Sequence, residues 1–268
     1  MLKLSPFAAE LCRIAQDAGA LILSHYAGEI EARAKSDASP VTFADEEAEV
    51  LISARLAKFA PDIPVVAEEA AAAGSIPKTS GRFFLVDPLD GTKEFIQRNG
   101  EFAVNIALIE GGVPVCGVVL APALERMFVG DTTGDEAFAA EIPALANAEL
   151  DLTKAKIISA RRAPADGLIA VASRSHRDYK TEEFLAQYKI LDLVAAGSSL
   201  KFCLVATGEA DIYPRLGRTM EWDVAAGHAV LAASGGSVTQ IDGTPFRYGK
   251  AAQGFANPHF IARGRPAA

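Results

Sequence analysis

Residues 83–95, FFLVDPLDGTKEF, set Asp87 and Asp90 three positions apart around a proline at the end of an apolar run. A strand that stops on carboxylates, followed by Gly91-Thr92 opening a helix, makes a cation site beside an anion site. The first N–H groups of a helix lack intrahelical acceptors and face outward. This arrangement suits a metal ion and a phosphate. Taken alone, it equally describes an acidic turn with Thr92 as N-cap. Three further acids bear on the choice: Glu68 (with Glu69) ends the apolar run PVVA, Asp45 falls in the first turn of VTFADEEAEVL, and Asp223 falls in the first turn of WDVAAGHAVLAA. Each alone has an ordinary explanation, since acids at helix starts complement the dipole. A cluster of such carboxylates holding divalent cations would turn an acidic protein into a local phosphate receptor.

The elements that must position these acids are partly legible. Ser5-Pro6 starts a helix, and Phe7, Leu11, Ile14, Ala18, Ile22 and Tyr26 follow at helical spacing as its core stripe. A second helix is expected from Thr42 to about Ala60, where Pro61 ends it. The runs PVVAE, RFFLVD, FAVNIALIE, VPVCGVVLAP and RMFVGD read as strands, with the first strand of the acidic motif stopped at Pro88 and Ala70–Ala73 a short turn or lid. After the weakly patterned stretch 141–151, strand-like GLIAVAS, ILDLVAA and ADIYPRL alternate with helical segments near 179–188, 199–207 and 222–233. An N-terminal α+β unit, 1–155, and a C-terminal α/β unit, 156–268, are therefore expected.

The 268 residues suffice for a real core without staples. A net charge of -8 argues against a nucleic-acid binder, which needs a basic face. Cys12, Cys116 and Cys203 are isolated among apolar neighbours, so neither disulfides nor a Cys-rich zinc site is expected. No signal peptide and no apolar run long enough to span a membrane is read, which leads to an expectation of a cytoplasmic protein. GTPFRYGK, residues 243–250, has one residue too many for a phosphate loop and reads as a turn. Ser198-Ser199-Leu200-Lys201 matches S-x-x-K, but the companion elements of penicillin-recognising hydrolases do not occur. The three-residue separation of Asp87 and Asp90 also disfavours a phospho-aspartate route.

Lys35-Ser36, Pro40-Val41-Thr42 with Asp45, Glu68-Glu69, Asp87-Pro88-Leu89-Asp90-Gly91-Thr92 and Trp222-Asp223-Val224-Ala225-Ala226-Gly227 together resemble the inositol monophosphatase superfamily in order and spacing along nearly the whole chain. Within it, KSDASPVT, VDPLDGTKEFIQRNGEFAVNIAL, VASRSHRD, GSSLKFCLVATGEADIYPRLG and WDVAAGHAV resemble the bacterial 3'(2'),5'-bisphosphate nucleotidases of the CysQ type. The resemblance implies an α/β (α+β) fold, the layered αβαβα sandwich of the inositol monophosphatase and fructose-1,6-bisphosphatase type. It implies one Mg2+ held by Glu68, Asp87 and the Leu89 carbonyl, and a second held by Asp87, Asp90 and Asp223. Family members take a third, weaker Mg2+ near Glu68. Asp45 is implied as catalytic base and Thr92 as its relay and a phosphate ligand.

For substrate, the resemblance implies a nucleotide bisphosphate held by Glu68, Leu89, Asp90, Gly91, Thr92 and Asp223 at the metals and by His176, Ser198, Lys201 and Arg215 further out. Arg215 stands where inositol-specific relatives align a glutamate; arginine donates bidentately to phosphate. The expected reaction is Mg2+-dependent hydrolysis of adenosine 3',5'-bisphosphate to AMP and phosphate, with 3'-phosphoadenylyl sulfate as a related substrate, in the clearance of a by-product of sulfate assimilation. An inositol or sugar monophosphatase is the alternative, and a non-catalytic metal-dependent nucleotide sensor the reading from another class. A monomer or homodimer is expected, with any contact to the cytoplasmic face of the inner membrane peripheral.

Overall fold

The Ser5 hydroxyl accepts the Ala8 N–H at 3.1 Å and Pro6 takes the first helical position, so α1 (Pro6–Ala27) starts where capping chemistry puts it. In this computed structural model, residues 2–35, 39–134, 136–145, 148–173 and 179–266 are described. A ribbon of β1 (Ala32–Ala34) and β2 (Pro40–Thr42) leads into α2 (Phe43–Phe59), which ends ahead of Pro61. Then come β3 (Val65–Ala67), α3 (Glu68–Ala72), β4 (Arg82–Asp90), α4 (Thr92–Ile96), β5 (Ala103–Glu110), β6 (Val113–Ala121), β7 (Arg126–Asp131), β8 (Phe138–Pro143) and β9 (Lys156–Ile157). These seven strands, β3 to β9, form one sheet in sequence order, with β3 parallel to β4 and the rest antiparallel. The chain continues through β10 (Leu168–Ser173), α5 (Tyr179–Leu185), β11 (Ile190–Ala196), α6 (Leu200–Ala206), β12 (Ile212–Arg215), α7 (Glu221–Ala233), β13 (Ser237–Gln240) and β14 (Phe260–Arg263). Their strands make a second sheet, ordered β11-β10-β12-β14-β13.

Two-residue alternation sorts side chains between layers. On β4, Phe84 and Val86 join Leu11, Ile14, Ile52 and Leu56 in a core under α1 and α2. Phe83 and Leu85 face the other way, into a core shared with α6, α7 and the smaller sheet. On that smaller sheet, Val171 and Tyr213 face this central core, while Ala170 and Ile212 pack against Leu185 of α5. The layers are thus α1 and α2, large sheet, α6 and α7, small sheet, α5: the expected αβαβα sandwich. Each fully buried Phe or Leu in these cores contributes about 1.5–3 kcal/mol relative to exposure. Lying between two sheets, α7 is apolar nearly all round. It sits close on the large sheet because Gly117 and Gly130 carry no side chain: a Cβ at Gly117 would lie 2.6 Å from that of Ala229, and one at Gly130 would lie 2.5 Å from the Ala229 carbonyl oxygen.

Several expectations need correction. Pro88 does not end its strand; β4 runs to Asp90 through an irregularity. Residues 70–73 belong with a short helix, α3, rather than a bare turn, and the third C-terminal helical segment opens one residue early, at Glu221. The stretch from 141 begins inside β8, and β9, β13, β14 and the β1–β2 ribbon were not foreseen. The three cysteines are buried and free, as expected. Among the described residues no helix is long and apolar enough to cross a membrane.

Candidate active site

The irregularity in β4 explains the spacing Asp-Pro-Leu-Asp. Asp87 pairs with Asn105 and Asp90 with Ala103, so three steps on β4 match two on β5. Residues two apart on β5 share a face; the extra residue therefore turns Asp87 and Asp90 to the same side, where regular pleating would put them on opposite sides. Pro88, which has no N–H to donate, suits the interruption. Leu89 points the other way, into the core beneath α1 and α2, while its N–H donates to Asp87 Oδ1 at 3.0 Å.

Facing Asp87 are acids from two other elements. Glu68 opens α3 at the end of β3, and Asp223 lies in the first turn of α7, its Oδ2 accepting the Met220 N–H at 2.8 Å. One carboxylate oxygen each from Glu68, Asp87 and Asp223 lie within 4.8 Å of one another. Burial, then the charges of Glu68, Asp90 and Asp223, pushes the Asp87 carboxyl well above its ordinary pKa. Burial, then Asp90 and Glu68, does the same to Asp223. Three hard oxygen donors converging on one point fit a divalent cation such as Mg2+.

Asp90 stands apart from that trio. Its Oδ2 accepts the Ser199 N–H at 2.6 Å and the Asn105 amide at 3.4 Å, and Ser199 Oγ donates to Asn105 Oδ1 at 2.6 Å. Burial raises its pKa to about 6, opposed by Lys201. The Asp87–Asp90–Asp223 set expected for a second ion therefore does not converge as tightly as Glu68–Asp87–Asp223.

Asp45 and Thr92 do meet. Thr92 Oγ1 donates to Asp45 Oδ1 at 3.0 Å, with the Leu89 carbonyl oxygen 3.3 Å away, while Asp45 Oδ2 takes the Thr42 N–H at 2.8 Å and the Thr42 hydroxyl at 2.6 Å. Burial raises the Asp45 pKa against these bonds. Gly91, at φ 93°, makes the left-handed turn into α4, where a Cβ would sit 3.2 Å from the Glu101 carbonyl oxygen. The helix that Gly91-Thr92 opens, α4, has five residues.

A cavity of about 590 Å3 opens beside these groups, lined by Glu68, Asp90, Gly91, Thr92 and Asp223 on one side and by Ser198, Lys201 and Arg215 on the other. Lys201 is not a surface charge: it is buried, its Nζ donates to the Ser198 and Ala196 carbonyls, and it lies 5.5 Å from the Tyr213 ring centroid. Burial lowers its pKa to about 8, opposed by Asp90. Since Lys201 meets the Ser198 carbonyl, the base-to-nucleophile contact of an S-x-x-K hydrolase is missing from the hydrogen bonds it makes here. Ser198 takes a left-handed φ of 45°, and its buried Oγ finds no hydrogen-bond partner among the described residues. Arg215 ends β12, with Nη2 donating to the Arg218 carbonyl at 3.2 Å. His176 lies outside the described residues, as do Ser36, Asp37 and Ala38 of KSDASPVT.

Sequence reasoning gave no role to three groups at this site. Lys35 Nζ reaches Glu68 and Glu69, each at 2.7 Å; burial opposes its charge, but the two carboxylates prevail and hold its pKa above the usual lysine value. Glu49 accepts the Glu69 and Ala70 N–H groups at 2.6 and 2.7 Å, capping the helix that Glu68 opens. It lies four residues after Asp45, on the same helix face, which was a readable signal. Asn105 was the other: a polar residue in the middle of the apolar run AVNIALIE, wholly buried.

A two-sheet sandwich whose buried carboxylates line a cavity, facing a lysine and an arginine, defines a divalent-cation site built to receive an anion. The chain belongs to the inositol monophosphatase family, whose model matches residues 3–264; the family is Mg2+-dependent. It is 44% identical over 253 residues to the 3'(2'),5'-bisphosphate nucleotidase CysQ of Shigella flexneri, covering 94% of this chain and 97% of that one. The protein of the same name from Escherichia coli K12 is 43% identical over the same coverage. Among solved structures, CysQ from Bacteroides thetaiotaomicron, described as a bacterial member of the inositol monophosphatase family, aligns with a TM-score of 0.80 at 37% identity, covering 99% of both chains.

Proposed function

We propose that this chain is a Mg2+-dependent 3'(2'),5'-bisphosphate nucleotidase that hydrolyses adenosine 3',5'-bisphosphate to AMP and phosphate and also takes 3'-phosphoadenylyl sulfate. The observation that carries this reading is the hydrogen-bonded Asp45–Thr92 pair beside the Glu68–Asp87–Asp223 cluster, with Thr92 lining the cavity. Glu68, Asp87 and the Leu89 carbonyl would hold one Mg2+, and Asp87, Asp90 and Asp223 a second, with a third near Glu68. Bound there, Mg2+ supplies Lewis acidity to the phosphoryl oxygens and lowers the pKa of water.

The protein's own groups do the rest. Thr92 donates its hydrogen bond to Asp45 and turns a lone pair to the attacking water. As the water gives a proton to Thr92 Oγ1, Thr92 passes its own to Asp45, whose other oxygen Thr42 fixes, so Asp45 gains one proton in all and the departing ribose oxygen is protonated from solvent. Gly91 leaves room for the phosphate. Arg215 donates to the phosphate remote from the reacting one, Ser198 offers its unpartnered hydroxyl to the ribose, and Lys201 adds charge from beneath. In this reading the 1–155 unit carries most of the metal ligands, and 156–268 carries Asp223 and the groups that select substrate.

The test is kcat/KM for adenosine 3',5'-bisphosphate against inositol 1-phosphate, each with and without Mg2+. The bisphosphate should be preferred by more than about tenfold, about 1.4 kcal/mol in transition-state terms. Preference for the inositol ester by that factor would sink the substrate assignment, and absence of phosphate release would sink the enzyme.

A further inference from the structure

Residues 243–250, GTPFRYGK, look like a phosphate loop and receive no role in the reaction. The end of this segment does bind an anion, and that anion is part of the protein. Glu221 is completely buried; its Oε2 accepts the Gly249 N–H at 2.8 Å, and its Oε1 accepts the Lys250 N–H at 2.8 Å and faces Lys250 Nζ at 2.7 Å. Lys250 Nζ in turn lies 5.1 Å from the Phe246 ring centroid and 5.3 Å from that of Tyr248. The chain just after that segment holds the same turn: Glu221 N–H donates to the Phe255 carbonyl at 2.9 Å, and Asn257 Nδ2 donates to the Met220 carbonyl at 2.6 Å.

Glu221 is the first residue of α7 and Asp223 the third. Asp223 faces Glu68 and Asp87, and once these acids ionise to take a cation their like charges push the start of α7 away from the large sheet. Removing one partner of a buried ion pair is strongly unfavourable, whereas apolar residues often fill such a place at little loss, so a buried pair is weak evidence of net stability and its place in the structure is what needs a reason. We infer that Glu221, clamped by Gly249 and Lys250, is a positioning residue that holds Asp223 in the metal cluster against this repulsion. The inference rests on the proposed reading of Asp223 as a metal ligand.

The test is Mg2+ binding to the metal-free protein by calorimetry, alongside urea unfolding without Mg2+. Glu221→Gln should weaken Mg2+ binding by about tenfold, as loss of a group that orients a metal ligand does, while kcat at saturating Mg2+ stays within about threefold. Val230→Ala, which trims the core side of α7 further along, should lower stability and leave Mg2+ affinity within about twofold. If Glu221→Gln loses stability but changes Mg2+ affinity by less than about threefold, the clamp is only structural and the inference fails. Should that variant not fold, Lys250→Met carries the test: weakening beyond about twofold supports the clamp, and a smaller change overturns it. Asp223→Asn separates the two readings. If it keeps full Mg2+ affinity the metal-ligand reading fails; if it loses Mg2+ while Glu221→Gln does not, the clamp alone fails.

Discussion

Asp45 is held at both oxygens, for Thr42 holds one twice and Thr92 holds the other. A base pinned in one rotamer, with a pKa that burial has raised toward working pH, is suited to take a proton and poorly placed to ligate an ion. Asp45→Asn keeps the volume and removes the proton acceptor. It should lower kcat by about 10²–10⁴ while KM and the Mg2+ dissociation constant stay within about threefold. A comparable loss in Mg2+ affinity would move Asp45 from proton transfer to metal binding. Lys201 carries a different lesson at this scale. Its place in SSLKF marked it as a cation near the substrate, but nothing in the sequence says that its ammonium is buried against two carbonyls, because that depends on how α6 packs on β12.

At the scale of elements, the seat of α7 on the large sheet depends on two glycines that give it no clearance. Gly130→Ala puts a methyl 2.5 Å from the Ala229 carbonyl oxygen, a backbone atom that can yield only if the helix shifts. Destabilisation by about 1–3 kcal/mol is expected from overpacking, measured as a lower urea midpoint at unchanged slope; a neutral outcome would mean that α7 slides freely on the sheet. The long elements were legible for different reasons: α1 repeats its apolar period, α2 and α7 carry acids in their first turns with Pro61 closing α2, and the long strands are apolar runs bounded by Gly, Pro or charge. By contrast, β9 spans two exposed residues, and β13 and β14 four each, too few to show a period; they are strands because a neighbour pairs with them. The irregularity at Pro88 was hidden for a related reason. The proline and both aspartates were in plain view, but an extra residue exists only relative to the count on β5. The acids themselves could be picked out from the sequence, while the fact that they share a face could not.

Across the whole molecule, the acid cluster joins parts of the chain that are remote in sequence, since Asp87 belongs to the large sheet, Glu68 to the short helix that follows its edge strand β3, and Asp223 to the helix between the sheets. A cation shared by them stabilises the assembled fold, by about 2.7 kcal/mol at a hundred times its dissociation constant, or about 5–10 °C in Tm for a chain of this size. The size of that shift should depend on pH. Asp87, Asp90 and Asp223 have folded pKa values raised by burial, that of Asp90 to about 6. Without metal, the stability these groups contribute is complete below the ordinary aspartate value, about 4, and is lost as pH rises through about 6 and above. With metal, the ionised carboxylates are the bound form, and acid must displace the ion. His228 runs the other way: burial lowers its pKa to about 3, so its contribution is complete above about 6.5 and declines on acidification. It lies outside the acid cluster and is neutral with or without the ion, so it cancels when metal-bound and metal-free protein are compared at one pH. The rise in Tm caused by a fixed Mg2+ concentration should therefore be several degrees larger at about pH 8 than at about pH 5.5. An equal rise at both values would mean that the cluster is already ionised in the metal-free protein, and that burial does not hold its protons in place.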